Sequence, residues 1–301
     1  MPYAIGLAVV LLGIFLYFWL RPIFAGKWVP SPIAFQIGNL TVRWYGLLIG
    51  LSIIPGWFLA EAAGKRAGLN PDALFNVLIM ALPAGIIGAR LGFVIQNLAY
   101  FTQHPGEIMA LWTGGLSIHG GLVLGLGVVV AYALITKTNF FRITDVVMPS
   151  ILLGQAIGRW GNFFNEELYG YPTDLPWKMY IAPEHRLPGF EQYSFFHPTF
   201  LYESILDLIG FAFLYWYRGR RETRPGDVLW LYLILYSIIR FIVEIFRIGQ
   251  SVEGGLTLAQ LVSIGLVVVA LVGMWGTRRW DKAHGVYLNL PENDQRNAAG
   301  A

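Results

Sequence analysis

Apolar residues in this chain gather into long runs separated by short polar stretches. The runs cover residues 3–20, 45–62, 73–99, 115–135, 143–160, 199–217, 227–246 and 256–276. Most come close to the ~20 residues a helix needs to cross a bilayer, and they are interrupted by Gly and Pro at a frequency normal for membrane helices. The pattern predicts an all-α integral membrane protein, a bundle of seven core transmembrane helices plus one extra N-terminal hydrophobic segment. The run 3–20 stops at Arg21-Pro22 and has neither the positive start nor the small-residue cleavage site of a signal peptide, so it is read as a further span. This divides the chain into an extra N-terminal segment 1–30, a transmembrane domain 31–276 with a long polar loop 161–198, and a polar tail 277–301.

Basic residues alternate between the ends of these runs. One set of ends carries Lys65, Arg66, Lys137, Arg142, Arg218, Arg220, Arg221, Arg224, Arg278, Arg279 and Lys282. Loops 100–114, 161–198 and 247–255 carry few. The positive-inside rule therefore puts the C-terminus in the cytoplasm and these three loops outside. Arg21 and Lys27 then fall outside as well, which opposes a crossing by residues 3–20. Loop 161–198 is rich in aromatics such as Trp177, Tyr180 and Phe196, as expected of a lid or docking surface on the membrane interface. The tail reads as a disordered end without chemistry. No internal repeat is evident, which counts against a transporter built from inverted halves.

Composition agrees and removes several chemistries. With 56% hydrophobic residues, 13% charged residues and mean hydropathy +0.56, the chain lies outside the soluble range. A net charge of +3 gives no footprint for nucleic acid. There is no cysteine, hence no thiol nucleophile, thiolate metal site or disulfide, and no stretch reads as a nucleotide or metal motif.

Polar residues inside the runs are costly unless they pair or face a cavity. On the topology above they collect towards the outside. Residues 158–170, Gly-Arg-Trp-Gly-Asn-Phe-Phe-Asn-Glu-Glu-Leu-Tyr-Gly, close one run. They read either as a site for an anionic group or as a helix end capped by Asn162 with Arg159 snorkelling to the interface. His119, the only histidine within an apolar run, sits between two glycine pairs. With an ordinary pKa of about 6.5 it suits proton transfer, although a lone membrane His also serves as a helix-to-helix hydrogen bond. Tyr236, Arg240 and Glu244 recur every fourth residue and so share a helix face, with Arg247 at the same end; Arg240 and Glu244 alone would also read as a pair holding a bundle together. Arg159, Arg240 and a further guanidinium, Arg90, outnumber any obvious neutralising arrangement of Glu61, Asp145, Glu203 and Asp207, and bidentate guanidinium geometry suits phosphate. In a membrane the abundant phosphate is that of a phospholipid.

Residues 158–170 resemble the signature of the prolipoprotein diacylglyceryl transferases, bacterial enzymes that lipidate lipoprotein precursors. Arg43-Trp44-Tyr45-Gly46, residues 114–121 around His119, His197-Pro198 leading to Tyr202-Glu203, and Tyr236 through Arg247 support the resemblance in family order. Residues 1–30 add a segment to the family's seven-helix core, and Arg43 stands where some members carry His, so it receives no proton-transfer role.

The resemblance implies that residues 31–276 are a catalytic domain in the bacterial cytoplasmic (inner) membrane, with its active site towards the outer leaflet. Its partners would be phosphatidylglycerol and a prolipoprotein signal peptide bearing a lipobox cysteine, and it would use no cofactor and no metal. The diacylglyceryl group would pass to the cysteine thiol, forming a thioether and releasing glycerol phosphate. His119 would take the thiol proton, Arg240 would stabilise the departing phosphate, and Tyr45 would donate a hydroxyl hydrogen bond. Arg159, Asn162, Glu167, Gly170, Tyr236, Glu244 and Arg247 would bind substrate. Two rival readings stand beside this one. An anion transporter would spread its charges through the membrane depth, and an intramembrane protease would need a Gly-x-Ser-x-Gly nucleophile or paired aspartates, neither of which occurs.

Overall fold

The computed structural model describes residues 13, 15–38, 40–111, 114–249, 255–284 and 287–288. In chain order the helices are α1 (Phe15–Phe24), α2 (Trp44–Arg66), α3 (Pro71–Gln96), the single turn α4 (Leu98–Phe101), α5 (Ile118–Thr136), α6 (Phe140–Phe164), α7 (Thr199–Arg218), α8 (Asp227–Phe246) and α9 (Leu258–His284). Among the described residues, seven of them, all except α1 and α4, are long and apolar enough to cross a membrane, as the hydropathy pattern predicts. The predicted span 3–20 falls largely outside the described residues, and its described end is the short apolar helix α1.

Three boundaries differ from the sequence pattern, each for a local reason. Helix α5 starts at Ile118 because Gly114 and Gly115 take φ values of +86° and +75°, outside the helical region. Helix α6 continues through the signature to Phe164, so Asn162 lies within it and does not cap it. Helix α9 runs through residue 284, beyond the apolar run, because nothing there breaks it and Arg278 is tied to Asp227 by two guanidinium contacts. Two small antiparallel ribbons that hydropathy does not foretell complete the fold: β1 (Ile33–Ile37) with β2 (Leu40–Arg43), and β3 (Met179–Tyr180) with β4 (Phe195–Phe196).

The chain divides into two compact units. The first comprises Met1–Trp57, Pro149–Trp216 and Trp230–Trp275. Its core is aromatic, with Phe163, Phe164, Tyr169, Phe196 and Phe200 buried together with Leu20 and Ile23 of α1. Trp44 stacks on Phe164 with 4.8 Å between ring centroids, and Trp19 meets Phe163 edge-on at 6.0 Å. Such pairs each add about 0.5–1.5 kcal/mol beyond the area they bury. The apolar side of the signature is therefore packing, which fixes the direction of its polar side.

The second unit comprises Phe58–Met148, Tyr217–Leu229 and Gly276–Ala301. In it α3 and α5 approach through glycines: a Cβ on Gly88 would lie 2.4 Å from the Gly120 carbonyl oxygen, and one on Gly92 would lie 2.9 Å from the Gly120 Cα. Small residues at such crossings let helix backbones pack closely in lipid, where no hydrophobic force drives association. The fully buried Asp145 accepts hydrogen bonds from the backbone N–H groups of Gly226 (2.6 Å) and Leu229 (2.8 Å), satisfying donors at the start of α8.

Candidate active site

The polar face of the signature belongs to a network inside the first unit. Arg159, near the end of α6, places Nη2 2.7 Å from Glu203 Oε1 of α7, and its Nη1 donates to Asn162 Oδ1 at 3.4 Å. Asn162 Nδ2 donates to Glu167 Oε1 at 2.7 Å, and Asn165 Nδ2 reaches the same oxygen at 3.1 Å. Because α6 continues through the motif, Arg159 and Asn162 are one turn apart and share a face. The chain then leaves the helix through two non-glycine residues with positive φ, Glu166 at 49° and Leu168 at 57°. This costly backbone is held by Glu166, whose buried carboxylate meets His185 Nδ1 at 2.6 Å.

Helix α8 supplies the second half. Arg240 Nη2 stands 2.6 Å from Glu244 Oε2, a close ion contact whose angles fall outside hydrogen-bond geometry. The buried Arg240 Nη1 has no hydrogen-bond partner among the described residues. Arg247 follows at the helix end, makes no side-chain hydrogen bond among the described residues, and feels the charges of Arg240, Glu203, Glu244 and Arg159. Burial first, and then the neighbouring Arg240 cation, lower its pKa from the ordinary arginine value. Gly170 brings the signature to this point: its N–H donates to the His197 carbonyl at 3.0 Å, the next residue's N–H donates to the Phe246 carbonyl at 2.8 Å, and a Cβ on Gly170 would lie 2.3 Å from that oxygen. Only glycine allows that approach.

The expected site residues thus fall into groups. Arg159, Asn162, Glu167, Gly170, Arg240, Glu244 and Arg247 belong to one connected region. Tyr236 lies one turn before Arg240 and stacks on Tyr232 at 6.2 Å. Tyr45, at the start of α2, packs its ring on Gly161, where a Cβ would meet Tyr45 Cδ2 at 2.2 Å. His119 is in the second unit, exposed at the second residue of α5, and its ring has no hydrogen bond among the described residues.

Two readings of the sequence are corrected here. Arg90 is not a spare guanidinium, because four of its five N–H donors are engaged by backbone carbonyls of Glu107, Ile108, Gly114 and Gly115. Nor is there a clear surplus of positive charge around Arg159, Arg240 and Arg247, since Glu203, Glu244 and Glu167 join the same network. The excess is in N–H donors: three guanidiniums offer five each, and few are engaged. Glu203, which pairs with Arg159, was legible only as a scattered acid. Its position was the available signal, because a carboxylate in the second turn of a membrane helix needs a cation at the same level.

Residues 32–276 match the sequence model of a family described as prolipoprotein diacylglyceryl transferase. The chain belongs to that family. A relative from Fervidobacterium nodosum, a phosphatidylglycerol–prolipoprotein diacylglyceryl transferase, is 42% identical over 277 residues, spanning 90% of this chain and 95% of its own length. Relatives of the same name from Trichormus variabilis (41% over 250 residues, 81% and 89% of the two chains) and Thermotoga maritima (39% over 262 residues, 86% and 89%) are similar throughout. The chain is accordingly a multi-pass membrane enzyme, a diacylglyceryl transferase of lipoprotein lipidation. The resemblance read from the signature agrees with the family match, and the match begins after the extra N-terminal segment.

Proposed function

We propose that this transferase moves the sn-1,2-diacylglyceryl group of phosphatidylglycerol onto the lipobox cysteine of a prolipoprotein at the outer leaflet of the bacterial cytoplasmic membrane. The sulfur attacks the glyceryl carbon bonded to the phosphate oxygen, the carbon–oxygen bond breaks with its electrons going to oxygen, and a thioether and glycerol phosphate result. The observation that carries this reading is the buried Nη1 of Arg240, without a hydrogen-bond partner among the described residues, near Arg247, whose side chain makes no hydrogen bond among them either. Donors kept from water and from protein acceptors are what a departing phosphate requires, because preorganised donors stabilise developing charge most strongly where water is excluded. Arg159 and Asn162 hold the headgroup, Glu203 and Glu244 orient the two guanidiniums, and Tyr45 and Tyr236 offer hydroxyls. A thiol of pKa about 8.5 is only a few per cent ionised at pH 7, and His119 takes its proton. The family match over residues 32–276 supports reading residues 31–276 as the catalytic domain.

The test is transfer of radiolabelled lipid in detergent micelles to a precursor peptide with its cysteine and to a second with serine in its place. Label should appear on the cysteine peptide alone, with glycerol phosphate released. Anion flux in proteoliposomes without transfer would establish the transporter reading instead. Orientation is tested separately: a tag after Ala301 should report from the cytoplasm, and a cysteine introduced in 161–198 should react with an impermeant reagent added outside.

A further inference from the structure

We propose that Arg90 is a positioning residue for His119, acting through the backbone that leads into α5. The inference rests on reading His119 as the thiol base. Among the described residues, the His119 ring makes no hydrogen bond that would orient it, so its location is set by where its backbone is held. A base needs its reacting nitrogen placed to within a fraction of an ångström, normally through a hydrogen-bonded supporting shell. Here the support comes from α3.

Arg90, 5% exposed, donates through Nε to the Ile108 carbonyl (2.8 Å), through Nη2 to that of Glu107 (2.6 Å), and through Nη1 to those of Gly114 (2.6 Å) and Gly115 (3.1 Å). No carboxylate pairs with it among the described residues. One guanidinium thus ties both ends of the segment between residues 107 and 115 to α3, and its planar fork reaches several carbonyls at once, which an ammonium cannot do. The same helix then grips the following residues. The Ser117 N–H donates to the Ala89 carbonyl at 2.8 Å, Gln96 Nε2 donates to Ser117 Oγ at 2.9 Å, and the glycine contacts of Gly88 and Gly92 hold Gly120. His119 lies between Ser117 and Gly120, fastened on both sides while its own ring stays free. Gly115 adds a further constraint, because a Cβ there would lie 2.4 Å from the Phe93 ring.

Arg90→Lys, in the purified full-length enzyme, is the first variant to make. It keeps the charge and loses the fork, so turnover should fall by about 10- to 100-fold, the scale of an ångström-sized misplacement, while KM for phosphatidylglycerol stays within about twofold. Its pH profile should match that of His119→Gln, rising towards the thiol pKa of about 8.5 as the peptide cysteine ionises unaided. The double variant should be no slower than His119→Gln alone. A multiplicative double variant, a wild-type pH profile or an unchanged rate in Arg90→Lys would overturn the proposal. A failure of the base reading looks different, because His119→Gln itself would then keep its rate or gain nothing at high pH. Should Arg90→Lys not accumulate, Gln96→Met removes only the bond to Ser117. It should show the same pH signature at about threefold reduced rate, within the non-uniform costs of remote positioning changes, and an unaltered rate and profile would equally overturn the idea.

Discussion

Arg90 and Arg240 both stand on apolar helices, Arg90 buried and Arg240 with its Nη1 buried, yet their surroundings differ in kind. Arg90 is nearly filled: four of its five N–H donors reach neutral carbonyls, and the rings of Phe93 and Phe101 lie against its guanidinium. Arg240 is underfilled, with Nη2 against Glu244 and the buried Nη1 without a hydrogen-bond partner among the described residues. A structural arginine in lipid is one whose donors the fold consumes. On the proposed reading, a ligand-binding one is held by a carboxylate and keeps donors in reserve, a cost that an arriving anion would remove.

The largest effect should come from breaking the underfilled arginine. Arg240→Lys retains charge beside Glu244 but loses the spare donor, and turnover should fall by about 10²–10³-fold, as when one donor to a developing oxyanion is removed. Expression and melting temperature should stay close to wild type, and transfer to the cysteine peptide is the measurement. If Arg240→Lys turns over normally, the reserve of donors has no catalytic meaning and the contrast with Arg90 loses its content.

Glu203→Gln should come next and act on stability as well as rate. It takes the counter-charge from Arg159, which sits 2.7 Å away with about a fifth of its side chain exposed. Leaving a largely buried charge unpaired costs about 3–5 kcal/mol, less whatever solvent recovers. Melting in detergent should drop accordingly, and phosphatidylglycerol should restore more of it than a zwitterionic lipid, because the anionic headgroup replaces the lost carboxylate. Equal rescue by both lipids would show that Arg159 does not face the headgroup.

The contrast between these arginines marks what was legible in the sequence. Hydropathy runs gave the seven spans because in lipid a helix satisfies its own backbone, so length and apolarity suffice. The i, i+4 spacing put Arg240 and Glu244 on one face because that is a relation within one helix, whereas the contact of Arg159 with Asn162 depends on α6 continuing to Phe164, past the apolar run that ends at 160. Arg90 was misread as a candidate anion ligand because its partners are carbonyls of a loop 17 to 25 residues away, and carbonyls carry no side-chain signal. Glu203 was underrated for a similar reason, since its partner is on another helix. The β-ribbons were missed because short pairings next to a membrane domain leave no hydropathy trace.

The smallest expected effect tests whether distance or environment decides. Lys65 Nζ lies 2.7 Å from Glu61 Oε1, as close as Arg159 is to Glu203 and within 0.1 Å of the separation between Arg240 and Glu244. Lys65, however, is 59% exposed and Glu61 26% exposed. Water solvates both charges whether or not they touch, and holding two long side chains together costs rotamer entropy, so an i, i+4 pair of this kind contributes about 0.3–0.5 kcal/mol. Glu61→Gln should therefore shift melting by a degree or so and leave transfer unchanged, and added salt should erase what difference there is. A loss of activity comparable to that of Glu203→Gln would mean that proximity alone ranks these pairs. If Glu61→Gln is silent while Glu203→Gln is not, the ranking follows from what surrounds each pair: a charge with water at hand loses little with its partner, and a largely buried guanidinium such as that of Arg159 loses its nearest counter-charge where little water can replace it.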